Sequence, residues 1–416
     1  MGDPPMKALV FSRRPARYAA AMVAGSLRPG RGARYGPLSL RDVDAPDLPG
    51  AGWHRLRPRL SGICGSDLAT IDGRSSRYFE PIVSFPFTPG HEIVGDLDDG
   101  RRVVVIPVLH CAVRAINPPC DMCQAGRINR CERVAFGRLE PGLQCGFCES
   151  TGGGWSQEMV VHESQVVDVP DDLTDEEAVL VEPTACAVHA AQQVADDVVA
   201  VIGAGALGLL TIAALGALAT PRGPFIATAK HPEQQRWAKE LGADTVCAPA
   251  ELERMVRSAT ASLMLDHGQL TCGVDAVIDC VGSGDSIAQA IRACAPGGTV
   301  YLVGMPGVTT LDLTPVWQRE VGVRGVYAYD EHDDRTHDFA TAIDLIRRLD
   351  LGRLVSASYP LSRYEDAIEH AANAGRRGAV KIAFDLRSDR TTRAGRRDVV
   401  YNRTATTRTQ GEEESR

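Results

Sequence analysis

The chain is 416 residues long, more than one ordinary core accommodates, so two or three domains are expected. Its composition is that of a globular protein, 44 % hydrophobic and 24 % charged. A net charge of −8 disfavours nucleic-acid or anionic-membrane partners, and no run nears the roughly 20 apolar residues of a membrane span.

Met1 to Arg14 lacks the apolar core and cleavage site of a secretory signal, so a cytoplasmic protein is expected. In that reducing compartment the 12 Cys read as metal ligands or catalytic thiols before disulfides. Cys64, Cys111, Cys120, Cys123, Cys131, Cys145 and Cys148 fall in the first 150 residues. Cys186, Cys247, Cys272, Cys280 and Cys294 sit in apolar surroundings and read as buried small hydrophobes.

Met6 to Phe11 reads as a first strand. Short β-like runs at Arg102–Ile106 and Val166–Val169, punctuated by Pro89-Gly90, Asp99-Gly100 and Gly152-Gly153-Gly154, predict an irregular β-rich domain. Near residue 184 the pattern changes. Val198–Ile202 is a continuous apolar run, as a buried parallel strand requires. A glycine-rich turn follows, then a helix over Leu207–Leu218, a strand over Pro224–Thr228 and a helix opening at Pro232. Val274–Asp279 and Thr299–Val303 read as strands around a helix at Ser286–Cys294. Such alternation predicts an α/β, doubly wound parallel sheet. Phe339–Leu349 and Tyr364–Ala374 have helical spacing, and Val380–Phe384 is a final strand expected to rejoin the first domain. From Arg387 the chain is polar and Arg/Thr-rich, and reads as a disordered tail.

Gly203-Ala204-Gly205-Ala206-Leu207-Gly208 matches G-x-G-x-x-G between an apolar strand and a helix, the context of a dinucleotide-binding turn. The glycines permit the turn, close approach to a pyrophosphate and tight helix packing, and the helix N-terminus offers free N–H groups to the phosphates. No carboxylate ends the second strand, where Thr228-Ala229-Lys230-His231 stands. A lysine there suits a 2′-phosphate and favours NADP over NAD, unless Lys230 is only a solvated surface residue. An insertion around Pro221-Arg222-Gly223 blurs the register.

Three further pieces are Gly62-Ile63-Cys64-Gly65-Ser66-Asp67, Pro89-Gly90-His91-Glu92 and Glu182-Pro183. A thiolate, an imidazole and carboxylates from separate loops can form a tetrahedral zinc site with one open position. Together with the glycine turn and Asp279-Cys280-Val281-Gly282, in this order, they make the chain resemble the zinc-dependent medium-chain alcohol dehydrogenase family, in its threonine, sorbitol and glucose dehydrogenase-like branch. The likeness runs from about Met6 to Leu386. It implies a GroES-like catalytic domain (1–183 and 327–386) around a Rossmann domain (184–326), with the tail at 387–416. It implies Cys64, His91 and Glu92 as zinc ligands, with Glu182 an exchangeable fourth ligand or near neighbour. Glutamate rather than cysteine at 182 points to an alcohol, polyol or sugar substrate of the polyol branch. The likeness also implies dimers or tetramers, joined through Thr299–Gly304 as an edge strand.

Cys120-Asp121-Met122-Cys123 followed by Cys131 resembles the family's structural zinc lobe. Cys111 then completes the quartet across an apparent insertion, Ala112 to Pro119. Cys145-Gly146-Phe147-Cys148 offers a rival quartet with Cys120 and Cys123. Four thiolates would close such a site to catalysis. Ser66, two residues past Cys64, stands where the family's proton-accepting hydroxyl lies, but Ala69 replaces the histidine that many relatives use as a relay. His110 and His189 read as packed or surface residues. The segment Arg74 to Phe87, with Tyr78, Phe79, Phe85 and Phe87, lines the substrate cleft or simply packs. Two competing readings remain: a zinc-free reductase on this scaffold, and a non-catalytic dinucleotide-binding redox sensor.

Overall fold

A computed structural model describes residues 5–194, 198–218, 223–330 and 337–388. The first segment holds β1 (Met6–Phe11), helix α1 (Pro15–Leu27), β2 (Leu38–Val43) and β3 (Trp53–Gly62). It continues through α2 (Gly65–Ile71), β4 (Ile93–Leu97), β5 (Arg102–Val105), β6 (Met159–His162) and β7 (Val166–Asp168). Helix α3 (Val181–Ala191) leads out of it. The parallel unit follows: β8 (Val199–Ile202), α4 (Ala206–Leu218), β9 (Ile226–Thr228), α5 (Pro232–Glu240), β10 (Thr245–Cys247), α6 (Leu252–Thr260), β11 (Val274–Asp279), α7 (Gly284–Ala293), β12 (Cys294–Leu302) and β13 (Gly322–Gly325). The chain closes with α8 (His337–Leu349), β14 (Val355–Tyr359), α9 (Tyr364–Ala372) and β15 (Lys381–Asp385).

Two large sheets result. One is parallel, in the order β10-β9-β8-β11-β12-β13. The order reverses between β8 and β11, and a doubly wound sheet binds ligands beyond the carboxyl ends of its strands at such a switch point. The other runs β14-β15-β3-β4-β5-β7, with β6 also on β3. β15 lies antiparallel to β3, Ala383 opposite Gly62, so the final strand does join the first sheet. α3 is buried along nearly its whole length and shares one apolar core with Leu60 and Val94 of the first sheet and Val201 and Leu210 of the parallel unit. That burial aims the first turn of α3 inward between the two sheets.

The structure departs from the sequence reading in several places. α1, with mostly exposed alanines, was not foreseen in the β-rich segment. Thr299–Gly304 is not an edge: β13 pairs along β12 and takes the outer position. Its Gly322–Gly325 sequence carries too little apolar pattern to register as a strand. Cys272 is exposed, and Cys186 and Cys280 are only half-buried. Arg387 is ion-paired with Asp385 and Asp175, while residues 389–416 of the expected tail lie outside the described residues. No helix among the described residues is long and apolar enough to cross a membrane.

Candidate metal centre and dinucleotide cleft

β3 ends at Gly62, and Cys64 follows in extended conformation as the N-cap of α2. The Asp67 carboxylate, in the first turn of α2, accepts the Cys64 N–H at 3.0 Å. Its other oxygen lies 3.5 Å from Nδ1 of His91. One buried carboxylate thereby ties the Cys64 turn to the histidine and turns Nε2 the other way, where it meets Ser66 Oγ at 3.5 Å. Gly90 makes the approach possible: its φ is +98°, and a Cβ there would lie 2.4 Å from the Trp155 ring. Ligand atoms of Cys64, His91 and Glu92 all fall within 4.8 Å of one another.

Sulfur, imidazole nitrogen and carboxylate oxygen form a donor set that zinc accepts. His91 Nδ1 faces Asp67 Oδ1 at 3.5 Å and Glu92 Oε2 contacts Lys381, which leaves His91 Nε2 and the Cys64 thiol to meet a cation. Burial lowers the affinity of His91 for a proton, but the Asp67 carboxylate and Cys64 carry its pKa well above the usual value. The residues fit a metal.

Glu182 sits in the first turn of α3, buried, with Cys186 one turn on at 3.7 Å from its Oε1. Burial raises its pKa to about 7, with His91 pulling down and Glu92 pushing up. It therefore shares the field of the site without belonging to the tight Cys64–His91–Glu92 group. Tyr329, buried just past β13, feels the charges of Glu182 and Cys186 and has its pKa pushed up by burial. The carboxyl end of the parallel sheet thus reaches this centre.

Sequence reasoning missed three members of the site. Asp67 was quoted without a role. Phe147 places its ring 5.9 Å from that of His91. Lys381, at the start of β15, contacts Glu92 Oε2. The only available signal for Lys381 was a lysine inside an otherwise apolar strand. Of the Arg74–Phe87 segment, Phe87 is core, stacked on Phe11 at 5.1 Å, and Tyr78 is 79 % exposed. Ala69 lies on α2 with no imidazole nearby in sequence to replace it. His110 is buried, and His189 is buried 3.4 Å from Asp338.

The sulfurs of Cys111, Cys120, Cys123 and Cys131 form a second group within 4.8 Å, with Cys111 and Cys131 3.7 Å apart. A hydrogen bond from Cys123 holds the Cys131 thiol down to about 5, and burial pushes Cys111 up to about 11. Four touching thiols cannot all ionise without a cation. Cys145 and Cys148 pack in a different apolar cluster, beneath β4 and β5, and burial pushes Cys145 up to about 12. The inserted Ala112–Pro119 stretch is anchored by Arg114, which is fully buried and donates to the carbonyls of Leu109, Phe136 and Gly142.

At the end of β8, Gly203 has φ +95° and donates its N–H to Thr228 Oγ1 at 3.0 Å. A Cβ at Gly208 would lie 1.9 Å from the Gly203 carbonyl oxygen, so the third glycine is dictated by packing. A Cβ at Gly205 would meet no protein atom within 4 Å. The space beside Gly205 is therefore open to a ligand at the N-terminus of α4, where Ala204, Ala206 and Leu207 complete the turn. Lys230 follows β9 and is exposed.

The family described as alcohol dehydrogenase GroES-like domain matches residues 50–171, and that described as zinc-binding dehydrogenase matches residues 206–348. A sorbitol dehydrogenase of Arabidopsis thaliana is 29 % identical over 358 residues, covering 82 % of this chain and 90 % of that protein. An L-idonate 5-dehydrogenase of Vitis vinifera is 26 % identical over 359 residues, again covering 82 % of this chain and 90 % of its own. A Sinorhizobium meliloti 1021 structure, assigned as a zinc-binding dehydrogenase and bound to NADP, superposes with a TM-score of 0.68. At 24 % identity, over 92 % of this chain and 100 % of that one, it is a likeness of fold.

Proposed function

The chain belongs to the zinc-dependent medium-chain alcohol and polyol dehydrogenase family, enzymes that move a hydride between a substrate hydroxyl and a nicotinamide dinucleotide, and we propose that Cys64, His91 and Glu92 hold its catalytic zinc. Glu182 is the exchangeable neighbour at that centre, and Cys111, Cys120, Cys123 and Cys131 hold a second, structural zinc. The observation that carries this reading is the convergence of a half-buried thiol on a buried imidazole and carboxylate from two separate segments, the Cys64 turn and the His91-Glu92 turn.

Zinc supplies Lewis acidity that lets an alcohol shed its proton near neutral pH, and the dinucleotide supplies the hydride acceptor. The chain's own groups do the rest. Asp67 fixes the orientation of His91. Ser66 Oγ, on the Nε2 side of that ring, accepts the substrate hydroxyl proton. One turn along α2 from Ser66, Thr70 Oγ1 donates to the Ser66 carbonyl oxygen and lies 2.9 Å from Ser75 Oγ, and Ser66 passes its own hydroxyl proton on to water where Ala69 offers no relay. Phe147 walls the centre and keeps water from the reacting carbon.

The Gly203–Gly208 turn binds the pyrophosphate, and the exposed ammonium of Lys230 favours NADP over NAD. The substrate is a polyol or sugar, in line with the sorbitol and L-idonate dehydrogenases to which the chain is similar. The enzyme works in the cytoplasm as a homodimer or homotetramer. Its catalytic domain spans 1–183 and 327–386, and its dinucleotide domain 184–326. The complete donor set disfavours a zinc-free reductase on the same scaffold. The test is an activity screen of polyols, sugars and simple alcohols with NAD and NADP, before and after zinc removal. Turnover of a polyol that disappears with zinc and returns on its addition is expected. Turnover that survives zinc removal would overturn the reading.

A further inference from the structure

Lys381 has no part in the chemistry described so far, yet its ammonium is buried against the candidate metal centre. It opens β15 and is only 3 % exposed, and Ile382 and Phe384 of that strand pack in an apolar cluster with Leu9, Ile63 and Trp155. Its Nζ contacts Glu92 Oε2. Gly62 makes room for the pair: a Cβ there would lie 2.0 Å from Glu92 Oε2 and 2.9 Å from Lys381 Cε. Three elements, the end of β3, the His91-Glu92 turn and β15, therefore meet at this one ion pair.

A buried ion pair is weak evidence for stability, because desolvation offsets most of the attraction and apolar residues commonly replace such pairs without loss. Its place beside a donor set points to a different use. The charged groups around the Lys381 ammonium are Glu92 first, then Cys64 and Glu182. These groups crowd negative charge around the donor set, and the Lys381 ammonium offsets part of it. The contact also fixes the Glu92 carboxylate beside Cys64 and His91.

We infer that Lys381 is the positioning residue of the catalytic zinc site, holding Glu92 through Oε2 so that its carboxylate is presented to the metal. The inference rests on the zinc reading given above. It is tested on the full-length zinc-loaded protein by following zinc loss into excess chelator, resolved into a faster phase from the open site and a slower one from the thiol quartet. The visible spectrum of the cobalt-substituted protein reports the same ligand set independently of activity.

Lys381→Met is expected to speed the fast phase by about 10- to 100-fold, the usual cost of losing an outer partner of a metal ligand. The slow phase should be unchanged and the cobalt spectrum displaced. Lys381→Arg, which keeps the cation, should restore most of both. In a Glu92→Gln background the added Lys381→Met should change neither, because the lysine acts through Glu92. Fast-phase loss within twofold of wild type in Lys381→Met, or an undiminished effect in the Glu92→Gln background, would overturn the inference. Should Lys381→Met alone fail to fold, Glu92→Gln against Glu92→Gln/Lys381→Met carries the test, since the double variant leaves no unpaired buried charge. Equal rates and spectra then support the inference and a tenfold difference overturns it. A wild-type protein holding only the quartet's zinc would instead sink the zinc reading itself.

Discussion

At the scale of single residues, Asp67 bears more of the site than its place in a six-residue motif suggests. It caps the Cys64 turn and orients His91 at once, as carboxylates behind metal-bound histidines do. Asp67→Asn keeps the shape but removes the charge, and should cost about 10- to 100-fold in zinc affinity or in kcat/KM. Metal titration and steady-state kinetics on the same preparation would check this.

The pH response of the centre follows from two groups. Burial raises the Glu182 carboxyl to about 7, and Asp67 and Cys64 lift His91 against the effect of its burial. Both bind a proton more tightly folded than unfolded. Their contribution to the zinc-free protein is therefore fully present below their unfolded values. It is lost as pH rises, through about 7 for Glu182 and above 6.5 for His91. Zinc demands the deprotonated ligands and binds more tightly as pH rises. The Tm difference between zinc-loaded and zinc-free protein should thus widen steadily from pH 5 to pH 8. A constant or shrinking difference would contradict the assignment of these two residues.

At the scale of elements, the βαβ turn separates packing from ligand binding within six residues. Gly208→Ala forces a Cβ to 1.9 Å from the Gly203 carbonyl oxygen and should destabilise the protein by roughly 1–3 kcal/mol. Gly205→Ala meets open space, so stability should hold within about 0.5 kcal/mol. Its KM for the dinucleotide should nonetheless rise tenfold or more, because the methyl group takes the room of the pyrophosphate. Denaturant melts and cofactor titrations of the two variants give opposite patterns if the turn works this way.

The strands of the parallel unit were legible because their apolar runs have no other use: β11 was bounded in the sequence to the residue. The Cys64, His91 and Glu92 group was legible only through order and resemblance, since each residue alone has a bland use in a core. β13 was not legible, because Gly322-Val323-Arg324-Gly325 gains its strand character from pairing with β12. Lys381 and Phe147 reach the centre through tertiary folding, from strand and loop positions far in sequence from Cys64 and His91. The Cys111 quartet was preferred over its rival from the sequence, and the four sulfurs do lie together, while Cys145 and Cys148 pack in a different cluster.

At the scale of the whole molecule, β13 leaves a strand edge that no other described strand pairs, and its residues are all exposed. Val308, Trp317 and Val323 lie exposed on or near it in sequence, at 93 %, 79 % and 46 %. Open edges with apolar residues invite pairing with a second copy. The proposed dimer or tetramer is therefore expected to form through β13 and not through the interior β12. Val323→Lys, which places a charge on that edge, should convert dimers to monomers in light scattering. An unchanged mass would place the contact elsewhere.

The central claim is that one metal ion sits among Cys64, His91 and Glu92 while a second sits among four cysteines. Anomalous diffraction across the zinc absorption edge from crystals of the purified protein addresses it directly. The account predicts two peaks, one between Cys64 Sγ, His91 Nε2 and a Glu92 oxygen, and one within the Cys111, Cys120, Cys123 and Cys131 sulfurs. A map from active, zinc-sufficient protein with no peak at the first position would contradict it.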